Sequence, residues 1–573
     1  MKRLFLAAAL TLSSYALYAQ TALTANEAYK YLQGERGRAS RVVGDAAMVP
    51  PDSLNKAEQI LNEALVYYNR PDVQALASTD IYLKARKYDI LRDRTLVQLK
   101  AGRDEDALAS LTESMEENKG RAWIFDDIDD NPAFARFQAL PAYQKLGGSV
   151  LHRVFNSKAL ATTYKPNLTD AEKVAGLSKL WSEAKYNFVY FDHLPALDWD
   201  KLYLEYIPKV QATNSTVAYY RVLKQFYAQL HDGHTDVWAA SPALADSVSA
   251  RPPITAQLVD GRVLVQLVRH DSLQRTGLVP GLEITQVDGV PVVDYANRYV
   301  RPYQSGSTTQ NVDVQTYAYN LLRGPKDRPV TIQFRDKTGK LFSRTLPRTG
   351  YGRLTPIPAF VHRTLPGNIA YVQLNTFENP EAFTKFKAAF DSISTSSALI
   401  LDVRLNGGGS SGEGWNILGY LTDKPFRIGK SSSQLYSPVR RAWGEGVKFE
   451  TVSAPEPTWR ANGERLYTKP VVVLINGMTF SAAEDFALAF DLMKRGALIG
   501  EPTGGSTGQP LSFALPGGIM ARVCTKRDTY PDGTEWVGKG IQPVVLVHPT
   551  IANVQAGRDA VLEVALNHLK TAK

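Results

Sequence analysis

Three short stretches of this chain hold residue types that could do chemistry. In VVVLINGMTFSAAEDFALAF, 471–490, an apolar β-branched run breaks at Asn476-Gly477 and becomes an alanine-rich helical pattern with Glu484 and Asp485 in its first turn. Strand, tight turn and helix in succession put Ser481 at a helix N-terminus, its hydroxyl and the Ala482 N–H both facing the end of a sheet. The same position suits a serine that merely caps the helix. In LILDVRLNGGGSSGEG, 399–414, a buried-strand pattern runs into Asn406 and three glycines. Glycine permits positive φ and close approach, so the N–H groups of such a turn can point into a cleft. The phosphate-cradling patterns GxxxxGK[ST] and GxGxxG are both missing there. In LHDGHTDVW, 230–238, a helical pattern meets the stop signal Asp-Gly, which sets His231 and His234 at or just beyond a helix C-terminus. Either histidine could cap the last carbonyls, yet two of eight histidines fall within one turn.

The elements that must position these residues follow from periodicity. At 573 residues the chain calls for three or four domains, and 44% hydrophobic content with 21% charge describes an ordinary globular protein. MKRLFLAAALTLSSYALYAQ reads as a secretory signal over 1–19, cleaved before Gln20. No later apolar segment is long enough for stable membrane insertion. Residues 20–150 read helical, and AGRDEDALASLTESMEE with Gly102 in its turn resembles a tetratricopeptide helix pair, a module for a protein partner. The acidic run FDDIDDNP, 125–132, lacks the spacing of a calcium loop and reads as a helix cap. A second helical region spans 151–252. Between 253 and 350, alternating strands separated by Val-Asp-Gly-Val and Asp336-to-Gly339 turns resemble a PDZ domain, with Gly277 to Gly281 as its Gly-Leu-x-x-Gly segment. Such modules bind an extended peptide as an added strand. From 351 to 573, β and α patterns alternate as βαβ units do, so the fold class is multidomain α/β. Cys524 stands alone, which excludes an intrachain disulfide and a cysteine metal cluster. The net charge of +9 is scattered without a basic run or aromatic interleaving, which argues against nucleic acid.

Taken in order, LHDGHTDV, LILDVRLNGGGSSGEG, VVVLINGMTFSAAEDFA and ALIGEPTGGSTG, with a PDZ-like segment between the first two, resemble the S41 peptidases. That family includes the C-terminal processing (tail-specific) proteases and the tricorn core protease, and the resemblance covers about residues 155 to 548. It implies a crotonase-like catalytic core. Ser481 matches the nucleophile, and Gly408 and Ala482 match the backbone donors of the oxyanion hole, with Gly407 in place of the usual proline. Fixed donors aimed at a developing oxyanion supply about 3 to 4 kcal/mol each. The processing proteases use a lysine 25 residues after the nucleophile as base; here that position is Ser506. The tricorn-like branch uses an earlier histidine, and His234 occupies the matching place, as an imidazole suited to taking and returning a proton. For the carboxylate that orients it, Glu535 in DGTEWVGKGIQP matches the tricorn-like glutamate, with Asp232 and Asp236 as local competitors. Gly233 replaces the serine that precedes the histidine in tricorn.

The resemblance implies an exported serine endopeptidase, in the periplasm or cell envelope or secreted, that cleaves unstructured polypeptides through an acyl-enzyme with no metal or organic cofactor. A non-catalytic envelope peptide-binding protein that keeps the fold is the alternative, favoured by the missing lysine and by Gly233. A crotonase-like acyl-CoA enzyme fits the core but neither the PDZ-like insert nor the signal.

Overall fold

The computed structural model describes residues 23–44, 48–115, 123–146, 154–155, 157–463 and 465–571. The secretory-signal reading and the boundary drawn at 150/151 lie outside them. The chain divides into two compact units, residues 1–157 and 158–573.

The first unit is helical where described. Thr24 and Glu27 close a reciprocal cap on Ala25–Val43, and Pro51 opens Pro51–Tyr68 at the position where its missing N–H costs nothing. These two helices and Ile81–Lys100 bury Leu32, Leu61, Leu65, Ile90 and Leu91 in a common core. Gly102, at φ 74°, makes the turn into Asp104–Met115, as the helix-pair pattern requires. The acidic run is spent on structure. Asp127 pairs with Arg92 at 2.6 Å and Asp129 accepts the Tyr143 hydroxyl at 2.7 Å. Among the described residues no cluster of His, Cys, Asp and Glu could hold a metal, and no helix is long and apolar enough to cross a membrane.

The second unit is built around a six-stranded sheet in the order Val545–Leu546, Gly496–Gly500, Val471–Ile475, Ala398–Asp402, Ile369–Leu374, Phe360–Leu365. All pairs are parallel except the last, which is antiparallel. The central strands 398–402 and 471–475 are buried at every residue, which is why they read as unbroken apolar runs. One face of the sheet is covered by Glu381–Thr395, Ser411–Leu418 and Ala482–Met493, the other by Ala560–Thr571. Leu401 and Val473 face one layer, Ile400 and Val472 the other. The carboxyl ends of the two central strands lie side by side, at the edge where parallel sheets gather their sites.

Residues 254–346 have a core of their own, an antiparallel sheet in the order Ile254–Val259, Arg262–Val268, Glu283–Val287, Val330–Arg335, Leu341–Leu346. The Asp288-Gly289 turn has both residues at positive φ, 49° and 80°, matching the two-residue hairpin predicted there. Residues 158–250 have no separate core. Asp170–Asn187, Trp199–Gln211 and Thr216–Ala228 share theirs with Pro510–Leu515 and Ile519–Cys524, and Asp236–Ala239 pairs antiparallel with Ile519–Cys524. Residue 252 thus falls between two cores, but residues 158–250 share theirs with the region expected from 351 to 573, because strands almost three hundred residues downstream complete the earlier layer.

Candidate active site

The strand Val471–Ile475 ends in a turn locked by its own side chains. Asn476 Oδ1 accepts the Met478 N–H at 2.9 Å, and Thr479 Oγ1 accepts the Asn476 N–H at 3.1 Å. The chain then enters Ala482–Met493 through Ser481 at φ 56°, ψ −124°. A non-glycine residue holds such a conformation only where its surroundings over-determine it. They do so here: the Phe480 N–H donates to Asn406 O at 3.1 Å, and the Ser481 N–H is shared between Ser506 O at 3.3 Å and Glu484 Oε2 at 3.2 Å. The reading of Ser481 as a helix cap does not describe its hydroxyl, which meets His234 Nε2 at 2.9 Å.

His234 arrives from a loop 247 residues earlier in the sequence. Thr216–Ala228 ends, His231 turns at φ 46°, and Asp236–Ala239 pairs with Ile519–Cys524, so the imidazole is carried on a short bridge between two fixed elements. Its ring stacks on Phe480 at 4.7 Å and 11°. Nδ1 lies 2.9 Å from Ser506 Oγ, and Ser506 Oγ lies 3.4 Å from Asp232 Oδ1. A serine hydroxyl has one proton, and an ionised carboxylate can only accept. The order Nδ1–H to Ser506 Oγ–H to Asp232 therefore satisfies every partner and leaves Nε2 with its lone pair toward Ser481. This tautomer is assigned from the bonding pattern. Asp232 Oδ2 also accepts the His234 N–H at 3.1 Å and the Thr235 hydroxyl at 2.7 Å.

Electrostatics keeps the ring neutral. Burial, followed by the charges of Arg522 and Lys526, holds the His234 pKa well below its ordinary value. Burial raises that of Asp232, opposed by Thr235, Arg522 and Ser307. Glu484 has no exposed surface, and its carboxyl gathers the Thr503 hydroxyl at 2.6 Å and the N–H groups of Gly505 at 2.8 Å and Ser506 at 3.0 Å besides that of Ser481. Burial pushes it up to about 8 against those donors. Glu484 thus ties the loop carrying Ser506 to the turn carrying Ser481.

The glycine turn closes on the same point. Gly408 sits at φ 103°, and a Cβ there would come within 2.8 Å of Ser481 Cβ and 2.9 Å of Phe480 O. Upstream, Arg404 bonds Asp402 through Nε and Nη2 and Asp559 through Nη1 and Nη2, fastening the strand end to Ala560–Thr571. The two expected oxyanion donors differ. The Ala482 N–H has no hydrogen-bond partner among the described residues, whereas the Gly408 N–H donates to Asn406 Oδ1 at 2.9 Å.

Glu535 stands elsewhere. Its carboxylate lies 2.6 Å from Arg527 Nε and 3.1 Å from His193 Nε2, held by two basic groups away from the imidazole, while Ser506 fills the place at Nδ1. Asp236 is likewise held by Lys224 at 2.7 Å. Among the described residues no lysine bonds Ser481 Oγ. Four participants escaped the sequence reading. Ser506 was visible only as the absence of a lysine. Glu484 was visible as the third residue after a capping serine. Ser305 and Ser307 carried no signal, yet Ser305 Oγ both donates to Asp232 O at 2.8 Å and accepts its N–H at 3.1 Å, while Ser307 Oγ accepts the Gly233 N–H at 3.1 Å.

Residues 368–547 match the model of peptidase family S41. The chain is 26% identical over 298 residues to the carboxy-terminal processing protease CtpA of Bacillus subtilis, covering 50% of this chain and 53% of that one. It is 29% identical over 185 residues to the chloroplastic C-terminal processing peptidase of Tetradesmus obliquus, covering 32% and 36%. The chain thus spans about half the length of the first of these relatives and about a third of the second. Among solved structures, mature CPAF complexed with lactacystin superposes with a TM-score of 0.55 at 16% identity, over 70% of this chain and 98% of that one, a likeness of fold. The fold is that of an S41 protease, residues 368–547 match the S41 peptidase family, and about half of the chain is similar to a carboxy-terminal processing protease.

Proposed function

We propose that the protein is an exported serine endopeptidase that cleaves unstructured polypeptides through an acyl-enzyme. Ser481 Oγ attacks the scissile carbonyl, His234 Nε2 takes its proton and returns it to the leaving amine, and Ser506 with Asp232 holds the ring in the required tautomer. Ala482 donates to the oxyanion, and Gly408 joins it when its N–H leaves Asn406 Oδ1. Water then releases the acyl group. The sheet at the centre is read as a crotonase-like core and residues 253–350 as a PDZ-like domain that receives the polypeptide. The reading of export rests on MKRLFLAAALTLSSYALYAQ.

The observation that carries this reading is the 2.9 Å approach of Ser481 Oγ to a buried His234 Nε2 whose other nitrogen is already engaged. Incubation with casein, a flexible polypeptide, tests it. Cleavage should be abolished by Ser481→Ala and lowered about 10²–10⁴-fold by His234→Ala, the range of a lost general base. Undiminished cleavage by His234→Ala would remove the imidazole from the mechanism. The engagement of the Gly408 N–H favours the alternative of a peptide-binding protein without catalysis, and a wild-type chain that binds casein but never cuts it would establish that alternative.

A further inference from the structure

Away from Ser481, a recess of 430 Å³ opens between Thr216–Ala228, the helix that leads into the His234 loop, and the antiparallel domain of residues 254–346. Its charge is unbalanced. Arg221 and Lys224 enter from the helix, Arg323 and Arg348 from the domain. Lys224 is neutralised by Asp236 at 2.7 Å. Arg348 is only 4% exposed and donates to the carbonyls of Leu322, Arg328 and Pro329, none of which carries a negative charge. Arg221 and Arg323 are exposed and have no carboxylate at ion-pairing distance among the described residues. The one acid on the wall is Asp288, whose Oδ1 already accepts the Thr331 N–H at 2.8 Å.

Three guanidinium groups against one carboxylate leave a site whose field favours an anion, and planar guanidinium forks suit the oxygens of phosphate or carboxylate. The repulsion is felt beyond the wall: Arg251, which bonds only backbone carbonyls, is pushed down to about 10 by burial and then by Arg323 and Arg269. Tyr295 and Tyr299 add hydroxyls and ring faces to the same wall. We propose that this recess binds a small multivalent oxyanion, phosphate- or carboxylate-based, which bridges the helix bearing Arg221 to the domain bearing Arg323 and Arg348. The bound anion would fasten the β-rich domain to the helix that delivers His234 and raise the thermal stability of both.

Calorimetric titration of the full chain with inorganic phosphate and, separately, with citrate tests this at an ionic strength held constant with sodium chloride. Saturable binding of either anion with a raised Tm is expected, and the stronger of the two identifies the source. Arg323→Gln and Arg221→Gln, both at exposed positions, should each weaken binding by about tenfold or more, as the loss of a charge-assisted bond does. Lys337→Gln, on the distant 336–339 turn, should leave it unchanged. No saturable heat with either anion, or equal weakening by Lys337→Gln, would overturn the site.

Discussion

A serine hydroxyl near neutral pH is a poor nucleophile until a base takes its proton, and a histidine serves only while it is unprotonated. His234 meets that condition because burial and the charges of Arg522 and Lys526 depress its pKa. The sign of the consequence is definite: protonation removes the base, so kcat/KM should fall on the acid side only well below the ordinary histidine value of about 6.5. A pH profile measured on a short peptide checks this, and an acid limb at or above 6.5 would contradict the burial argument. Ser506 makes a second case. Ser506→Ala removes the acceptor at Nδ1 while leaving Nε2 in place, so kcat should drop about tenfold or more with KM little changed. A rise in KM alone would make Ser506 part of the substrate pocket instead. Ser506 could not be read from the sequence as a participant, since its role depends on a hydrogen bond to a residue 272 positions earlier.

At the scale of elements, the site is a meeting of strand ends. The strands before Asn406 and Asn476 were legible because full burial forces continuous apolar runs, and the turns were legible because glycine and asparagine mark them. The partner of the imidazole was not. Glu535 was expected from its place in the chain, but Arg527 and His193 capture it, and no periodicity reports which of several acids a loop will meet. Gly408→Ala tests the fit of the glycine turn. Its Cβ would collide with Ser481 Cβ and Phe480 O at a φ that costs about 1–3 kcal/mol, so reaction at Ser481 should be lost while far-UV circular dichroism stays unchanged. Retained activity would mean that the turn is not packed on the nucleophile. Glu484 carries a further expectation. Its folded pKa of about 8 lies above the usual 4.5, so its stabilisation is fully present below 4.5 and lost as pH rises to about 8. Between pH 6.5 and 8 the chain should therefore lose about 2 kcal/mol more than Glu484→Gln does in urea unfolding. Equal losses would mean that the four donors keep Glu484 ionised throughout.

At the scale of the molecule, residues 1–157 and 158–573 each have cores of their own, and every residue of the proposed relay lies in the second unit. A chain beginning at Lys158 should fold and keep its reaction at Ser481; loss of both would place a necessary portion of the core upstream. Within the second unit the division was only partly legible. The 254–346 domain announced itself by alternation and hairpin turns, whereas the layer joining 158–250 to 510–524 depends on pairing across the whole unit. That long-range closure is what brings His234 to Ser481. The most direct measurement of it is covalent labelling of the intact chain with a fluorophosphonate, followed by peptide mapping. The account predicts a single adduct on Ser481 that forms on wild type and is slowed about 10²-fold or more by His234→Ala. An adduct that forms at the same rate on His234→Ala, or none on wild type, would contradict it.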